Sequence, residues 1–331
     1  MAKKKKKKDK RKYIIGIDLG GTKMLTGLLD KNFRILSTQK TKMQVEKGEK
    51  YFFNAIVESV FQVLEDGKVD LEQVRTIGVG CPGIIDSKEG TVISSPNIGF
   101  LKNYSLRQKL RKYFGVPVFL ENDVNAGLYG EYQFGAAKGY KHIVGIFLGT
   151  GIGGALILNG DLYHGAHGAA GEIGHTLVDP LGPQCGCGKR GCLETEIGRP
   201  AIAAEAAVLA VKNQAGKLLK MTGTDISKIK SGALEAAIEA GDGMVRTLVK
   251  NKARILGVSM ANLVNILNPE IFVLGGGVVE AMGRIIVPEA EEAMHQYAMP
   301  NLVKDVVVKE AKLKDYSIVK GAAKLAVDLM D

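Results

Sequence analysis

The chain has 331 residues, 46% of them hydrophobic and 24% charged, which is typical of a soluble protein with about two domains. No apolar run approaches the roughly 20 residues that a membrane helix needs, so we expect no membrane span. Its four cysteines do not suggest a disulfide framework, which favours a reducing, cytoplasmic setting.

The formal net charge of +10 is concentrated at the start of the chain. Residues 1–12 carry nine lysines or arginines and one aspartate, a net +8, which leaves +2 for residues 13–331. Because like charges repel and nothing in this stretch can pack, we predict a disordered lysine-rich tail over residues 1–12. A solvated tail is the simpler interpretation, and contact with a polyanion such as RNA or polyphosphate is the alternative. The apolar stretch that follows is short and contains Asp18, so we do not expect a secretion signal.

Two similar glycine hairpins are predicted far apart in the chain. Tyr13–Leu19 is typical of a buried strand, and a Gly-Gly turn leads from it to a second strand, Met24–Leu29. The segment GIDLGGT at 16–22 resembles GIFLGTG at 145–151, an offset of 129 residues. In both, a strand ends on Leu-Gly and a glycine turn precedes another apolar strand. This repeat predicts two similar α/β halves with a ligand between them.

Strands and helices alternate between the hairpins. The predicted elements are a helix over Tyr51–Leu64, a strand over Val74–Val79, a helix over 105–114, a strand over Val116–Leu120 and a helix over Val124–Phe134. The polar trio Glu121, Asn122 and Asp123 follows the last of these strands. Ligands of open α/β sheets bind outside the carboxyl ends of strands, so Asp123 lies where chemistry is expected.

The second half of the chain is mainly helical. The predicted elements are a helical region over Pro200–Lys220, amphipathic helices over 231–267, a strand over Ile271–Leu274 with a helix after it, a strand near Val306–Val308 and a closing helix from Ile318. Three glycines, 275–277, follow the strand that begins at Ile271.

The glycine turns favour phosphate binding. The run GTGIGG at 149–154 fits the dinucleotide fingerprint, but that motif must open a helix, and here it precedes an apolar strand at Ala155–Leu158. We therefore reject a Rossmann site. Two matching turns and the glycines at 275–277 instead offer bare amides that could wrap phosphates. Near them, Asp18 could hold water on Mg²⁺, and Thr22 and Lys23 could add a hydroxyl and a cation.

Cysteines and a histidine cluster between residues 175 and 192. Cys185, Cys187 and Cys192 are separated mostly by glycines, which lets a short backbone aim three sulfurs at one point, and His175 can supply a fourth ligand. Such a ligand set suits a closed, structural zinc site. A disulfide pair and an unligated run of small residues are the alternatives.

Taken in order, the motifs GIDLGGTK, GCPGIID, END, GTGIGG, GEIGH, CGCGKRGCLE and NPEIFVLGGG make the chain resemble the ROK family of sugar kinases and sugar-responsive repressors, and its glucokinase branch above all. The resemblance implies the actin-like ATPase (RNase H-like) fold, α/β in class, with two similar α/β domains around a central cleft. The implied division is a small α/β domain over 13–122, completed by the helix 318–331, and a large α/β domain over 123–317 that contains a zinc knot at 175–192.

Residue by residue, the resemblance makes Asp123 the catalytic base toward the sugar hydroxyl. It also implies a set of sugar-binding residues, a set of nucleotide-binding residues and a set of zinc ligands. The implied sugar-binding residues are Asn97, Asn122, Asp123, Glu172, His175 and Glu194. The implied nucleotide-binding residues are Asp18, Gly20, Gly21, Thr22, Lys23, Gly149, Thr150, Gly151, Gly275, Gly276 and Gly277. The implied zinc ligands are His175, Cys185, Cys187 and Cys192. His175 would then bind zinc through one ring nitrogen and a sugar hydroxyl through the other.

The expected function is ATP-dependent, Mg²⁺-assisted phosphorylation of glucose to glucose 6-phosphate. Mannose, N-acetylmannosamine or N-acetylglucosamine could replace glucose, and polyphosphate could replace ATP. Two departures from the family pattern leave the preferred sugar open. Thr176 stands where many members have methionine, and Asn97 leads into Ile-Gly-Phe where tryptophan is common.

Two other classes of protein compete with the kinase. One is a non-catalytic sugar-sensing repressor, but only twelve residues precede the first predicted strand, so we expect no DNA-binding module. The other is a structural actin-like protein, which the retained sugar-pocket residues argue against. Family practice also implies a homodimer or homotetramer.

Overall fold

A computed structural model describes residues 11–330, and the predicted lysine-rich tail lies outside them up to residue 10. Lys12, the last residue of that predicted tail, donates its backbone N–H to the carbonyl of Gln73. Within the described residues, no helix is both long and apolar enough to cross a membrane.

The described residues form twelve strands and eleven α-helices. The strands are β1 (Tyr13–Leu19), β2 (Lys23–Leu29), β3 (Ile35–Lys42), β4 (Val74–Cys81), β5 (Ile84–Asp86), β6 (Thr91–Ser94), β7 (Val118–Asn122), β8 (Ile143–Leu148), β9 (Ile152–Leu158), β10 (Asp161–Leu162), β11 (Ile271–Gly275) and β12 (Val307–Glu310). The helices are α1 (Glu49–Gly67), α2 (Leu106–Phe114), α3 (Asp123–Phe134), α4 (Leu193–Ile197), α5 (Arg199–Val211), α6 (Gly216–Thr222), α7 (Ser231–Glu239), α8 (Gly243–Leu267), α9 (Gly277–Tyr297), α10 (Pro300–Val303) and α11 (Ser317–Asp328).

The chain packs as two compact units. Unit 1 comprises the described residues up to Gln133, the short stretch Gly165–Ala169, and those from Asp315 onward. Unit 2 comprises Phe134–His164 and Ala170–Lys314. The sequence-based boundary between residues 122 and 123 stays a prediction, and the structure places α3 with unit 1.

Each unit contains one five-stranded mixed sheet, and the two sheets have the same topology. The order is β3-β2-β1-β4-β7 in unit 1 and β10-β9-β8-β11-β12 in unit 2. In each, an antiparallel hairpin (β1 with β2, or β8 with β9) is extended by parallel strands on its other side. The internal repeat read from the sequence is therefore a repeat of structure.

The cores form because the central strands are apolar on both faces and helices cover them. Strand β11 is buried along its whole length, as expected for a parallel strand between helix layers. In unit 1, residues of α1 and α2 pack with one face of the sheet, and Val319 and Ala323 of α11 pack with Ile14 and Leu25 on the other.

The structure differs from the sequence-based prediction at one edge strand and in one helical region. The edge strand β3 was not predicted, because its sequence ILSTQKTK is mostly polar and lacks a buried residue. The predicted helical region Pro200–Lys220 is helical over most of its length, but it is divided into α5 and α6 by a break in which Asn213 adopts a left-handed conformation with φ of 56°.

Helices α3 and α11 cross so closely that side chains are excluded from the contact. A Cβ on Gly321 would lie 1.7 Å from the carbonyl oxygen of Ala126, and one on Gly130 would lie 2.2 Å from that of Ser317. This crossing explains why α3 packs with unit 1, because its glycine-lined face fits only against α11.

Replacing Gly321 with alanine is therefore expected to lower the free energy of unfolding by about 1–3 kcal/mol, since backbone must move to admit the methyl group. The matched control is Gly232→Ala in α7, where nothing lies within 4 Å of the new Cβ. That change should raise the stability by about 0.5–1 kcal/mol, through helix propensity alone. Urea denaturation followed by circular dichroism measures both, and equal midpoints for the two variants would contradict the close crossing.

Candidate functional site

The catalytic candidate lies where β7 ends and α3 begins. The side chain of Asn122 caps this helix, since its Oδ1 accepts hydrogen bonds from the backbone N–H groups of Val124 (2.9 Å) and Asn125 (3.1 Å). Its Nδ2 donates to the carbonyl of Gly83 at 3.0 Å. Asp123 is the first helical residue, and its Oδ1 also lies 3.0 Å from the N–H of Val124. The capping role that Asp often fills is therefore taken mainly by Asn122.

Glu121 braces the same turn, a role that the sequence did not reveal. Its buried side chain accepts hydrogen bonds at Oε1 from the N–H of Asn122 (2.9 Å) and from Nδ2 of Asn125 (3.0 Å). Both donors belong to the capped turn, so Glu121 holds the backbone that carries Asp123. The polar trio was visible in the sequence, but nothing in it distinguished a bracing residue from a ligand-binding one.

Asp18, at the end of β1, belongs to the same electrostatic environment as Asp123. The pKa of Asp18 is raised to about 7, chiefly by burial and in addition by the carboxylates of Asp123 and Asp315, while Lys23 acts in the opposite direction. Burial and the charge of Asp123 likewise raise the pKa of the Cys81 thiol. Several carboxylates thus share one site in unit 1, where a cation would be favoured.

The first glycine turn lies beside these carboxylates and packs against a predicted sugar-binding residue. The N–H of Gly20 donates to the carbonyl of Lys23 at 3.0 Å and closes the turn. A Cβ on Gly21 would lie 3.1 Å from the backbone oxygen of Asn97. Unit 1 therefore contains the turn, Asn97, Asn122 and the two aspartates that the sequence singled out.

The raised pKa of Asp18 predicts a specific pH dependence of stability. Between the ordinary pKa of about 3.8 and the folded value of about 7, the folded state keeps a proton that the unfolded state releases. The free energy of unfolding should therefore fall as the pH rises through this window. The fall can reach a few kcal/mol, because one pKa unit corresponds to about 1.4 kcal/mol.

The Asp18→Asn variant should lack this pH-dependent part of the free energy of unfolding. Urea titrations of both proteins between pH 4 and pH 8, without nucleotide or Mg²⁺, measure the difference. A difference between wild type and variant that does not change with pH would contradict the assignment.

In unit 2, Glu194 is tied to the second glycine turn. Its Oε2 accepts a hydrogen bond from the N–H of Ile152 at 2.9 Å, and a Cβ on Gly151 would lie 2.4 Å from the same atom. A side chain at that position would displace the Glu194 carboxylate. The N–H of Gly149 donates to the carbonyl of Gly151 at 2.9 Å, which closes the turn as in unit 1.

Arg199, which the sequence analysis missed, completes this turn. Its Nη2 donates to Oγ1 of Thr150 at 2.6 Å, and its backbone N–H donates to the carbonyl of Gly149 at 3.0 Å. Arg199 lies 49 residues from Thr150 in sequence, so no local signal could have identified it.

The turn after β11 lies against the same part of unit 2. Gly276 has φ of 84°, and a Cβ there would lie 2.4 Å from the carbonyl oxygen of Leu148, the last residue of β8. The glycine turn at 149–151 leads into the strand β9, so the prediction that this motif precedes a strand rather than a helix is confirmed.

The cysteines and His175 form a compact cluster. The ligand atoms of His175, Cys185, Cys187 and Cys192 all lie within 4.8 Å of one another. Nδ1 of His175 is 3.5 Å from Sγ of Cys185, and the sulfurs of Cys187 and Cys192 are 3.7 Å apart. All four cysteines of the described chain are free thiols, which argues against the disulfide alternative.

Glu172 faces the other edge of the histidine ring. Residues 173–175 form a short 3₁₀ turn, which brings Oε2 of Glu172 to 3.9 Å from Nε2 of His175. The backbone N–H of Leu193 donates to the carbonyl of Thr176 at 2.9 Å, so the helix that carries Glu194 begins beside this turn.

The chain matches the model of the ROK family over residues 14–328. It is 36% identical to a glucokinase of Thermotoga maritima over 312 residues, which cover 94% of this chain and 96% of that protein. It is 28% identical to a xylose repressor of Caldicellulosiruptor bescii, covering 96% of this chain and 78% of the repressor.

Solved structures agree with this similarity. A ROK family glucokinase from Streptomyces griseus, in complex with glucose and AMPPNP, superposes with a TM-score of 0.83 at 32% identity, covering 96% of this chain and 99% of that one. The match extends through both units, whose shared sheet topology is that of the actin-like ATPase fold. The chain therefore belongs to the ROK family.

Proposed function

We propose that this protein is a sugar kinase that transfers the γ-phosphoryl group of ATP to glucose, with Asp123 as the general base. The observation that carries the proposal is the arrangement at the end of β7. Asn122 caps helix α3, Glu121 braces the turn, and the Asp123 carboxylate shares the surroundings of Asp18. The glucokinase relatives, one of them described with glucose and AMPPNP, support the choice of substrates.

Asp123 would act as the general base, a role that water fills poorly. A primary alcohol is barely acidic, so the carboxylate accepts the proton of the 6-hydroxyl as that oxygen attacks the γ-phosphorus. The bond from this phosphorus to the β–γ bridging oxygen breaks, and ADP leaves with the electron pair. Asn97 and Asn122 are proposed to hold other hydroxyls of the sugar. For Asn122 this requires the second N–H of its amide, because the first is bonded to Gly83.

The glycine turns would bind phosphate groups of the nucleotide. The residues proposed for this role are Gly20, Gly21, Thr22 and Lys23 in unit 1, and Gly149, Thr150, Gly151, Gly275, Gly276 and Gly277 in unit 2. The amides of Gly20 and Gly149 are bonded within their own turns, so neighbouring amides must meet the phosphates.

Mg²⁺ would neutralise charge on the transferring phosphoryl group when it is bound with ATP. Asp18 would hold its water shell, because the clustered carboxylates gain from a nearby cation.

The distances within the cysteine cluster fit a tetrahedral zinc ion. Bonds of about 2.3 Å to sulfur and about 2.0 Å to nitrogen imply S–S edges of about 3.8 Å and S–N edges of about 3.5 Å. Two of the six edges match these values, the Cys187–Cys192 sulfur pair at 3.7 Å and Nδ1 of His175 to the Cys185 sulfur at 3.5 Å, and all four ligand atoms lie within 4.8 Å of one another. A bound zinc ion would contribute stability to this loop and no reactive hydroxide. Nδ1 of His175 would be its nitrogen ligand, leaving Nε2 and Glu172 toward the sugar.

Glu194 has a second proposed role besides the sugar pocket. Since its Oε2 is bonded to the N–H of Ile152, only Oε1 remains for a sugar hydroxyl. The residue would then link the sugar pocket to the glycine turn that holds phosphate.

A sugar-sensing repressor is the second candidate, because a xylose repressor is among the relatives. The presence of both Asp18 and Asp123 favours turnover, since a pure binding domain needs neither a base nor a magnesium-binding carboxylate. We also propose a cytoplasmic location and a homo-oligomeric state, following the family.

A matrix of sugars and phosphoryl donors tests the proposal. Glucose, mannose, N-acetylmannosamine and N-acetylglucosamine are each incubated with ATP or polyphosphate, and phosphorylated products are identified by mass spectrometry. We expect the highest kcat/KM for glucose with ATP. Sugar binding without product from any pair would favour the repressor class. A higher kcat/KM for an N-acetyl sugar than for glucose would change the assigned substrate but not the assignment as a sugar kinase.

A further inference from the structure

An open surface cavity of about 790 Å³ lies in unit 1 between α1 and α2, away from the residues assigned above. Its walls combine aromatic rings and ammonium groups, and the principal lining residues are Lys50, Phe53, Tyr104, Lys109, Lys112 and Tyr113. A cavity of this size is in the range of small-molecule sites.

The charge of this cavity is positive. Three lysines line it against a single glutamate, Glu49, which pairs with Lys109. That pair raises the pKa of Lys109 and keeps it charged. Lys50 and Lys112 are exposed. Lysine ammonium groups bind phosphate as point charges.

The aromatic residues form a wall suited to a ring. Phe53 and Tyr113 contact edge to face, with centroids 5.8 Å apart, and Tyr113 is 54% exposed. The ammonium group of Lys109 lies 4.3 Å from the centroid of the Tyr104 ring. The Tyr104 hydroxyl is buried near Glu49, without ordinary hydrogen-bond geometry to any group in residues 11–330.

This cavity is connected to the first glycine turn by the segment 95–104. At one end, Tyr104 lines the cavity and exchanges two backbone hydrogen bonds with Val92. In the middle, Phe100 packs against Phe52 of α1, with centroids 5.3 Å apart. Near the other end, Asn97 packs against Gly21. A ligand that orders this segment would therefore bias the position of Asn97.

We propose that this cavity is an effector site for a small phosphorylated ligand with a ring, in which lysines bind the phosphate and the aromatic wall packs on the ring. The segment 95–104 transmits its effect to glucose binding. The effect on glucose binding rests on the proposed role of Asn97, whereas binding of the phosphorylated ligand in the cavity does not. A sugar phosphate and a nucleoside monophosphate share this chemistry, and the experiment distinguishes them.

The chain contains no tryptophan, so Tyr113→Trp introduces a single fluorescent reporter into the cavity wall. The reporter protein, saturated with glucose and AMPPNP to fill the proposed substrate sites, is titrated with glucose 6-phosphate, AMP or inorganic phosphate. We expect a saturable change for one of the two ring-bearing ligands, with a Kd below about 1 mM and at least about tenfold tighter than for inorganic phosphate.

Lys50→Glu with Lys112→Glu should weaken this binding at least about tenfold. The matched control, Lys31→Glu with Lys88→Glu, makes the same charge change at exposed lysines elsewhere in unit 1 and should leave it unchanged. Binding that is absent at about 10 mM, that is equally tight for inorganic phosphate, or that ignores the cavity lysines would overturn the site.

Steady-state kinetics without AMPPNP then test transmission. The ligand that binds should change the KM for glucose at least about threefold in wild type and not in the Lys50→Glu, Lys112→Glu protein. An unchanged KM would overturn the regulatory half of the proposal. Binding without any sugar kinase activity would instead contradict the proposed function, and activity without binding would contradict only the effector site.

Discussion

Replacing Asp123 with asparagine is expected to lower kcat at least about 100-fold while glucose still binds with nearly unchanged affinity. Asparagine keeps the size of the side chain and one acceptor oxygen, but it cannot accept the proton of the attacking hydroxyl. The fold should survive, because the cap of α3 is provided mainly by Asn122. Initial rates from an ADP-coupled assay and glucose affinity from isothermal titration calorimetry give the two quantities.

The matched control for this change is Asp305→Asn, which removes a carboxylate that pairs only weakly with Lys304 at 3.9 Å on the surface of unit 2. Its kcat should equal that of wild type. If Asp123→Asn retains near-normal turnover, Asp123 is not the base. If it loses glucose binding in parallel with turnover, its role is to bind the sugar instead.

Removal of one cluster ligand is expected to have the second large effect. Cys187→Ser should reduce the zinc content from about one ion per chain to nearly none, because a closed tetrahedral site depends on each of its ligands. Without the ion, the orientation of His175 is lost, and with it the proposed contact of Nε2 with sugar. We expect the KM for glucose to rise at least about tenfold, by analogy with the cost of losing groups that orient metal ligands.

Cys81→Ala is the thiol control, since Cys81 is buried in unit 1 and is not part of the cluster. It should keep its zinc. Plasma emission spectrometry measures the metal, and the same rate assay measures the KM. A Cys187→Ser protein with a full complement of zinc would show that the four side chains do not form the site, whereas zinc loss with an unchanged KM would separate the metal from the sugar pocket.

The sequence predicted those parts of the fold that are encoded locally. The strand Tyr13–Leu19 has the predicted bounds, because it is a mainly apolar run, with Asp18 near its end, that stops at a glycine pair. The hairpin repeat was visible because glycines mark both turns. In the first turn, the backbone oxygen of Lys23 fills the space of a side chain on Gly20, and in the second the Glu194 carboxylate lies beside Gly151. The edge strand Ile35–Lys42 gave no such signal, because its residues are mostly polar and none of them is buried.

The site was predictable to the extent that its residues are adjacent in sequence. The polar trio at 121–123 and the cysteines at 185–192 can be identified from the local sequence alone. The hydrogen bond from Ile152 to Glu194 and that from Arg199 to Thr150 join residues 42 and 49 positions apart. Only the fold brings such pairs together, so the bracing roles of Glu194 and Arg199 could not be read from spacing.

The raised pKa of Asp18 has the same origin. Burial at the end of β1 and the charges of Asp123 and Asp315 depend on the packing of segments from both ends of the chain. The sequence suggested that Asp18 holds water on Mg²⁺, but it gave no indication that the pKa of this carboxylate is raised.

The position of bound glucose tests the central claim most directly. A crystal structure of the glucose complex would locate the 6-hydroxyl oxygen relative to the side chain that follows Asn122. The account predicts that this oxygen lies within hydrogen-bond distance, about 2.6–3.2 Å, of the Asp123 carboxylate. A sugar bound with its 6-hydroxyl on any other group, and no carboxylate within reach, would contradict it.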